Sequence, residues 1–376
     1  MFTYPKKLDK IFEKLINNDA SPIIIGGFVR DKILQIDSID IDIEVYNINS
    51  FDRLEKLLKE FGSVNSVGKS FGVCKLDFDE FKLDFTLPRT DSKVSNGHTG
   101  FDIKIDANLD YKTASSRRDF SINTIGYDVK TKKILDPFNG IDNLKTKTLK
   151  VVDTHKFSED PLRILRAMQF CARFELTPDV KLISICKEMC NKNILAELPK
   201  ERIFEEFNKL FLKSSKPSIG LNFLKQIDAL NFFYELNMDK KDWDFTLDAI
   251  DRCTKDMAIQ LASLCYKIKN KDIEQFITKL TNNKNTTRYI KQYHHIAIFL
   301  KSHNTTLKYS IMKDIDLSKL TSFLKAINSN QENLKLIKKL KPIVNGKELV
   351  KVGFKPSKEF SNILQLIYEV QYLFHP

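Results

Sequence analysis

No run in the 376-residue chain approaches 18 uncharged apolar residues, so no bilayer-spanning helix is expected. The opening residues, MFTYPKKLDKIF, lack the apolar stretch of a secretory signal, and the expected location is the cytoplasm. Cysteine is sparse. Of six, only Cys186 and Cys190 lie close together, without the further Cys or His ligands that zinc requires. They read as reduced thiols, and no zinc site is expected. Clean internal repeats and extended low-complexity tracts are also missing. With 42% hydrophobic and 29% charged residues, the chain has the material for true cores and is not a disordered polymer. Its length suggests two or three structural units.

Glycine is scarce and uneven. Nine of the 12 lie within residues 1–140, and only Gly220, Gly346 and Gly353 follow. Tight α/β turns need glycine and helical bundles need little, so an α/β head followed by an all-α remainder is expected. The chain's net charge of +12 is uneven as well. Residues 1–250 carry 39 basic and 39 acidic side chains; residues 251–376 carry 22 and 10. The whole excess sits in the last third, where a polyanion such as a nucleic acid can dock. Lysine-rich helix faces in a lysine-rich composition are the plain alternative.

Periodicity agrees with the glycine pattern. SPIIIGGFVRDKIL reads as a buried strand, a Gly-Gly turn and a helix, and DIDIEVY, VCKLDF and FKLDFTL alternate as strands, the last closed by Pro88. After Asp136 strand signals fade. PLRILRAMQFCARF, VKLISICKEMC, RIFEEFNKLFL and IGLNFLKQIDALNFF have helical period. Residues 280–288 and 301–307 read as polar connectors, and 345–376 as two glycine turns with one amphipathic helix.

Three constellations bear chemistry. In the first, Gly26-Gly27 closes a strand, so backbone amides can approach a phosphate at a helix start, with Arg30 one turn on. Asp40 and Asp42 follow at i, i+2 on the next strand, with both carboxylates on one face. Such a pair suits Mg²⁺, which takes one or two carboxylates plus substrate phosphates. Each feature alone is more often structural; strand, Gly-Gly, helix and acidic strand in succession favour phosphate transfer. Glu44 continues the face and reads as a solvated or supporting acid. Asp84, alternating with apolar residues in KLDFT, is either a third acid from a neighbouring strand or a strand-edge Asp. In the second constellation, Arg117-Arg118-Asp119-Phe120-Ser121-Ile122-Asn123, two Arg beside Asp and Asn can grip a triphosphate and sugar. A helix start capped by Asp119 is the plainer reading. In the third, Glu159-Asp160-Pro161-Leu162-Arg163-Ile164-Leu165-Arg166, Asp160 and Arg163 share one helix face, with Ser158 as cap and Pro161 in the first turn. On a surface such a pair is worth well under about 1 kcal/mol. In a nucleotide pocket, a carboxylate accepting an exocyclic amino proton beside a guanidinium donating to a ring acceptor admits cytosine and adenine and rejects uracil and guanine.

Taken in order, GGFVRD, DID, RRDFSIN, DPFNGIDNL (136–144), EDPLRILRA and LPKERIFEEF (198–207) resemble class II tRNA nucleotidyltransferases, the bacterial CCA-adding enzymes and their poly(A) polymerase relatives. The likeness is strong over 20–212, thinner over 213–340, and returns at Val344-Asn345-Gly346-Lys347-Glu348-Leu349 and Val352-Gly353-Phe354-Lys355-Pro356. The resemblance implies an α+β architecture. Its head (1–145) would be a five-stranded polymerase β-type nucleotidyltransferase domain. A helical neck with the base-selecting helix (146–212), a body (213–330) and a tRNA-binding tail (331–376) would follow. It also implies catalytic Mg²⁺ on Asp40 and Asp42, with Asp84 as a further acid. Nucleotide contacts would come from Gly26, Gly27, Arg30, Arg118, Asp119 and Asn123, and base selection from Asp160 and Arg163 assisted by Arg166. The implied activity is template-independent addition of CCA to the 3′ end of tRNA from CTP and ATP, with release of pyrophosphate.

Departures matter too. Gln169 stands where the family helix carries a third Arg. His294-His295 is followed by Ile, without the His-Asp pair of a phosphohydrolase domain, and reads as a helix-surface or interface pair. The polar segment 88–101 resembles the flexible loop that full CCA and A-adding enzymes keep. The alternatives are an A-adding enzyme or poly(A) polymerase, or an idle RNA-binding protein on the same fold, against which the intact Asp40 and Asp42 stand.

Overall fold

The computed structural model describes residues 2–65, 72–93, 101–302, 308–339, 341–357 and 359–374. Contacts divide the chain into two units, Met1–Ala167 with Phe174–Leu198, and Met168–Arg173 with Pro199–Pro376. The first holds a mixed sheet. Its elements in chain order are α1 (Asp9–Ile16), β1 (Ser21–Ile25), α2 (Gly27–Ile33), β2 (Asp40–Tyr46), α3 (Phe51–Leu58), β3 (Val64–Asn65), β4 (Val73–Phe78), β5 (Phe81–Thr86), β6 (Arg89–Lys93), β7 (Phe101–Ile105), α4 (Tyr111–Ser115), β8 (Gly126–Asp128) and β9 (Lys133–Leu135). The helices α5 (Gly140–Lys145), α6 (Thr154–Ser158), α7 (Leu162–Phe174) and α8 (Val180–Asn191) follow.

The sheet runs β3-β4-β5-β2-β1-β8-β9, with β2 and β5 parallel and every other pair antiparallel. The resemblance implies five strands; the sheet has seven. The two edge strands, β3 of two residues and β9 of three, are too short to show alternation in sequence. The central strands form because their residues bury. Ile24, Ile43 and Val45 are fully buried, and Ile11, Phe12 and Leu15 of α1 bury beside them. On the other face Tyr46, Ile23, Ile25 and Ala114 cluster with Leu109 and Tyr111. Within the 88–101 segment, β6 and β7 pair antiparallel, Arg89 with Ile105 through Lys93 with Phe101; residues 94–100 lie outside the described residues.

The second unit is helical: α9 (Lys200–Lys213), α10 (Pro217–Gln226), α11 (Lys240–Arg252), α12 (Met257–Cys265), α13 (Asn270–Leu280), α14 (Lys284–Ser302), α15 (Tyr309–Met312), α16 (Leu317–Ala326), α17 (Gln331–Lys339), α18 (Gly346–Lys351) and α19 (Phe360–Phe374). Three expectations change here. The stretch 280–288 is a connector only to Asn283. That residue accepts the Asn285 N–H at 2.9 Å and starts α14, whose buried residues begin at Ile290. Residues 345–374 hold two helices rather than one, because Asn345 and Glu348 close a reciprocal capping box that starts α18. His294 is buried at 6% exposure, which removes the surface alternative and leaves the interface one, and loss of water holds its pKa below the usual imidazole value. Among the described residues no helix is long and apolar enough to cross a membrane.

Candidate active site

Strand β1 ends at Ile25, and Ile25 lies opposite Asp42 of β2. On its other side Asp42 lies opposite Asp84 of β5, which lies opposite Lys75 of β4. One row across four strands therefore places the Gly-Gly turn, which begins one residue after Ile25, beside the acids. Asp40 lies two residues along β2 on the same face. Gly26 has φ +65° and ψ −119°, a conformation closed to other L residues, and a Cβ there would stand 2.5 Å from the Arg118 Nη1. The turn is glycine for both reasons, and Arg118 is packed directly against it.

Asp40 and Asp42 are exposed, and among the described residues neither carboxylate takes a hydrogen bond or ion pair. Asp42 keeps an open surface, yet the protein around its carboxyl removes enough water to raise its pKa. Arg118 opposes the rise, while Asp84 and Asp40 add to it. Asp84 is occupied by an ion pair with Lys75 at 3.2 Å. No three His, Cys, Asp or Glu side chains converge on a metal position among the described residues. Two uncompensated carboxylates, with further positions left to water and phosphate, form a donor set suited to Mg²⁺.

Behind this rim runs a buried polar chain that ties the constellations together. Arg30, 4% exposed, donates to Asp31 at 2.8 Å and to the Asn123 Oδ1, and its guanidinium lies 4.5 Å over the Phe174 ring. Asn123 donates to the Asp119 Oδ1 at 2.8 Å, and Arg166 donates to the Asp119 Oδ2 at 2.6 Å. Burial would raise the Asp119 pKa, but Arg166 and Asn123 outweigh it and hold the carboxyl below the usual range. Arg118 donates to the Asn123 carbonyl at 2.9 Å. The buried Arg30, Asp119 and Asn123 thus position the rim, whereas Arg118, Asp40 and Asp42 form it. Asp119 is an interior anchor instead of a helix cap.

The Asp160–Arg163 pair takes an unexpected form. Asp160, not Ser158, caps α7, accepting the Leu162 N–H at 3.0 Å; Ser158 bonds back to the His155 carbonyl. The Asp160 and Arg163 side chains do not pair with each other. Arg163 instead donates to the main-chain carbonyls of Lys156 at 3.0 Å and Arg117 at 2.8 Å, which spends two of its five N–H groups and fixes its plane. Gln169 is buried at 2%, its Oε1 without a partner.

One alternative is decided here and one contribution escapes the sequence reading. Glu44 is the supporting acid and not the solvated one. Its side chain is 1% exposed and accepts from Arg117 and from the Tyr46 hydroxyl, at 2.8 and 2.7 Å. Asp136 of DPFNGIDNL accepts the N–H groups of Gly140 and Ile141, and Asn143 donates to the Ser121 Oγ at 2.8 Å. A Cβ on Gly140 would meet the Ser121 carbonyl at 2.4 Å. That motif is the brace under the RRDFSIN loop, and its Asp-x-x-x-Gly spacing is the signal in the sequence.

Residues 23–150 match the family described as "Poly A polymerase head domain", and residues 174–238 match "Probable RNA and SrmB- binding site of polymerase A". The chain is 30% identical to the CCA-adding enzyme of Buchnera aphidicola subsp. Baizongia pistaciae over 71% of its own length and 67% of that enzyme's. It is 33% identical to the multifunctional CCA protein of Mannheimia succiniciproducens over 56% of its own length, and spans about half (48%) of that relative. A solved structure, the Thermotoga maritima CCA-adding enzyme complexed with tRNA_CCA, superposes with a TM-score of 0.71 at 18% identity, covering 98% of this chain and 92% of that one.

Proposed function

The chain belongs to the family of CCA-adding enzymes and poly(A) polymerases, and on that premise we propose that it adds CCA to the 3′ end of tRNA from CTP and ATP. The observation that carries this reading is the pair of uncompensated carboxylates, Asp40 and Asp42, in register with the end of the Gly-Gly strand. In the reaction the tRNA 3′ hydroxyl bonds to the α-phosphorus of the nucleotide, and the bond to pyrophosphate breaks.

The family depends on divalent metal, and Asp40 and Asp42 are the residues that would hold Mg²⁺ here. When bound, the metal activates the attacking hydroxyl and neutralises the leaving pyrophosphate. The Gly26 N–H is already given to the Ile125 carbonyl at 3.0 Å, so the first-turn N–H groups of α2 from Gly27 onward face the phosphates. Arg118 sits where it meets them and is held by Asn123. The free oxygen of Asp160 accepts from the base amino group, while Arg163, fixed by two carbonyls, donates its remaining N–H groups to the ring. Side chains thereby replace a template. Asp84, partnered by Lys75, supports the field around Asp42.

We divide the chain functionally into head (1–145), neck (146–212), body (213–330) and tail (331–376), with the basic last third on the tRNA phosphates. The six cysteines, none in a disulfide, support a reducing compartment such as the cytoplasm.

The test is incorporation on tRNA transcripts ending at the discriminator base, at C and at CC, with CTP and ATP separately and together. Growth of all three to CCA followed by a stop is expected. Extension of the CC transcript alone marks an A-adding enzyme, and a ladder of A residues marks a poly(A) polymerase. No extension in Mg²⁺ overturns the catalytic reading.

A further inference from the structure

The helical unit contains a cavity of about 780 Å³ between α13, α14 and the start of α15, with no part in the site above. Lys284, Arg288 and Lys291 line it at i, i+4 and i+7 of α14. Lys291 is neutralised by Glu274 of α13 at 2.5 Å, the one carboxylate in the lining. Lys284 has no ion pair among the described residues, and Arg288 meets only the neighbouring Tyr289, through its hydroxyl at 3.4 Å and its ring at 5.1 Å. Both stand at the start of a 19-residue helix, whose first-turn N–H groups add positive potential. Deeper on the same face, Gln292 is 7% exposed, and its buried amide oxygen has no hydrogen-bond partner.

A buried amide without a partner calls for one. Two uncompensated cations at a helix N-terminus call for an anion. Among the described residues Phe, Tyr and Trp are absent from the lining, and His295 is its one ring, so the cavity offers more for a phosphate and a hydroxyl than for a stacked base. We propose that this cavity binds a ribose-phosphate unit, with the phosphate on Lys284 and Arg288 and a sugar hydroxyl on Gln292. A hydroxyl can meet whichever end of the amide the cavity reaches, because it both donates and accepts. The volume lies within the range of small-ligand sites. Two sources carry this chemistry, a free sugar phosphate and one nucleotide of an RNA strand. The inference does not depend on nucleotidyl transfer.

The full chain is titrated in EDTA with ribose 5-phosphate and with inorganic phosphate, as wild type, as a Lys284→Ala/Arg288→Ala double variant and as Gln292→Leu. Gln292→Met serves where Leu folds poorly. If the ligand is free, ribose 5-phosphate binds more tightly than phosphate, the double variant loses both by about tenfold or more, and Gln292→Leu loses only the sugar's advantage. Excess CTP leaves that binding unchanged, which separates this cavity from the head. If the source is RNA, free ribose 5-phosphate does not bind, and Gln292→Leu weakens binding of a tRNA transcript but not of its DNA counterpart. Ribose 5-phosphate binding that survives the double variant overturns the proposal. So does the absence of any effect of Gln292→Leu on either ligand.

Discussion

Glu44 and Arg117 form a buried ion pair at 2.8 Å, and the main-chain carbonyl of Arg117 accepts from Arg163 at 2.8 Å. The strand that carries Asp40 and Asp42 is thereby tied to the arginine proposed to read the base. Such pairs contribute little net stability, because desolvation offsets the attraction, but removing one partner strands the other. The arrangement therefore fixes geometry more than it adds stability.

Replacing Glu44 by Ala is expected to cost about 3–5 kcal/mol, as for a broken buried pair. It should also relax the preference for CTP and ATP over UTP and GTP by about tenfold, equivalent to about 1.4 kcal/mol. Melting temperature and misincorporation kinetics measure the two effects. A destabilised variant with wild-type base preference would show that the pair serves folding alone. Arg163→Ala should relax the preference further.

Asp40→Asn and Asp42→Asn keep side-chain volume but remove the charges that have no partner in the protein. Each is expected to lower incorporation by about a thousandfold or more, since one carboxylate of the pair is left and Asp84 in the same row is engaged by Lys75. Affinity for tRNA should stay within about twofold, because the charge proposed to hold its phosphates lies in the last third. Turnover near wild type in either variant refutes the metal role.

Much of this site was legible because its chemistry lies in local strings. Asp40 and Asp42 follow from alternation along one strand, and Gly26 from a turn that only glycine can make. What escaped, or stayed open between two readings, was set by tertiary neighbours. Glu44 has the same alternation as Asp42 and differs only in being covered by Arg117 and Tyr46, from elsewhere in the fold. The intended Asp160–Arg163 pair follows from helical spacing, yet two carbonyls outcompete the carboxylate for the guanidinium. Short edge strands and the Asn-capped start of α14 were missed because a cap or a two-residue strand leaves too few residues for a period.

Gly26→Ala places a Cβ in a backbone region closed to L residues and pushes on Arg118. A strained residue of this kind costs on the order of 1–3 kcal/mol. Because Arg118 can swing away, the fold should survive while nucleotide binding suffers, with a raised KM for CTP and ATP. An unchanged KM would place Arg118 outside the phosphate site.

The +12 excess over residues 251–376 predicts steep salt dependence. Binding to tRNA should weaken by an order of magnitude or more between about 50 and 200 mM salt. A flat response in a binding titration would mean the basic third is not the docking surface.

Acid should weaken the fold through Asp119. Its folded pKa lies below the unfolded value, because Arg166 and Asn123 outweigh burial. A carboxylate lowered in this way adds stability that is fully present above the unfolded pKa, near 4, and is lost as pH falls through the folded pKa. The wild type should therefore lose stability progressively below about pH 4. Asp119→Asn should be less stable at neutral pH, since Arg166 is left without its partner at 2.6 Å, and its acid slope should be shallower. Denaturant melts from pH 7 downward measure both. Parallel slopes for the two proteins would show that other carboxylates, and not this anchor, govern acid unfolding.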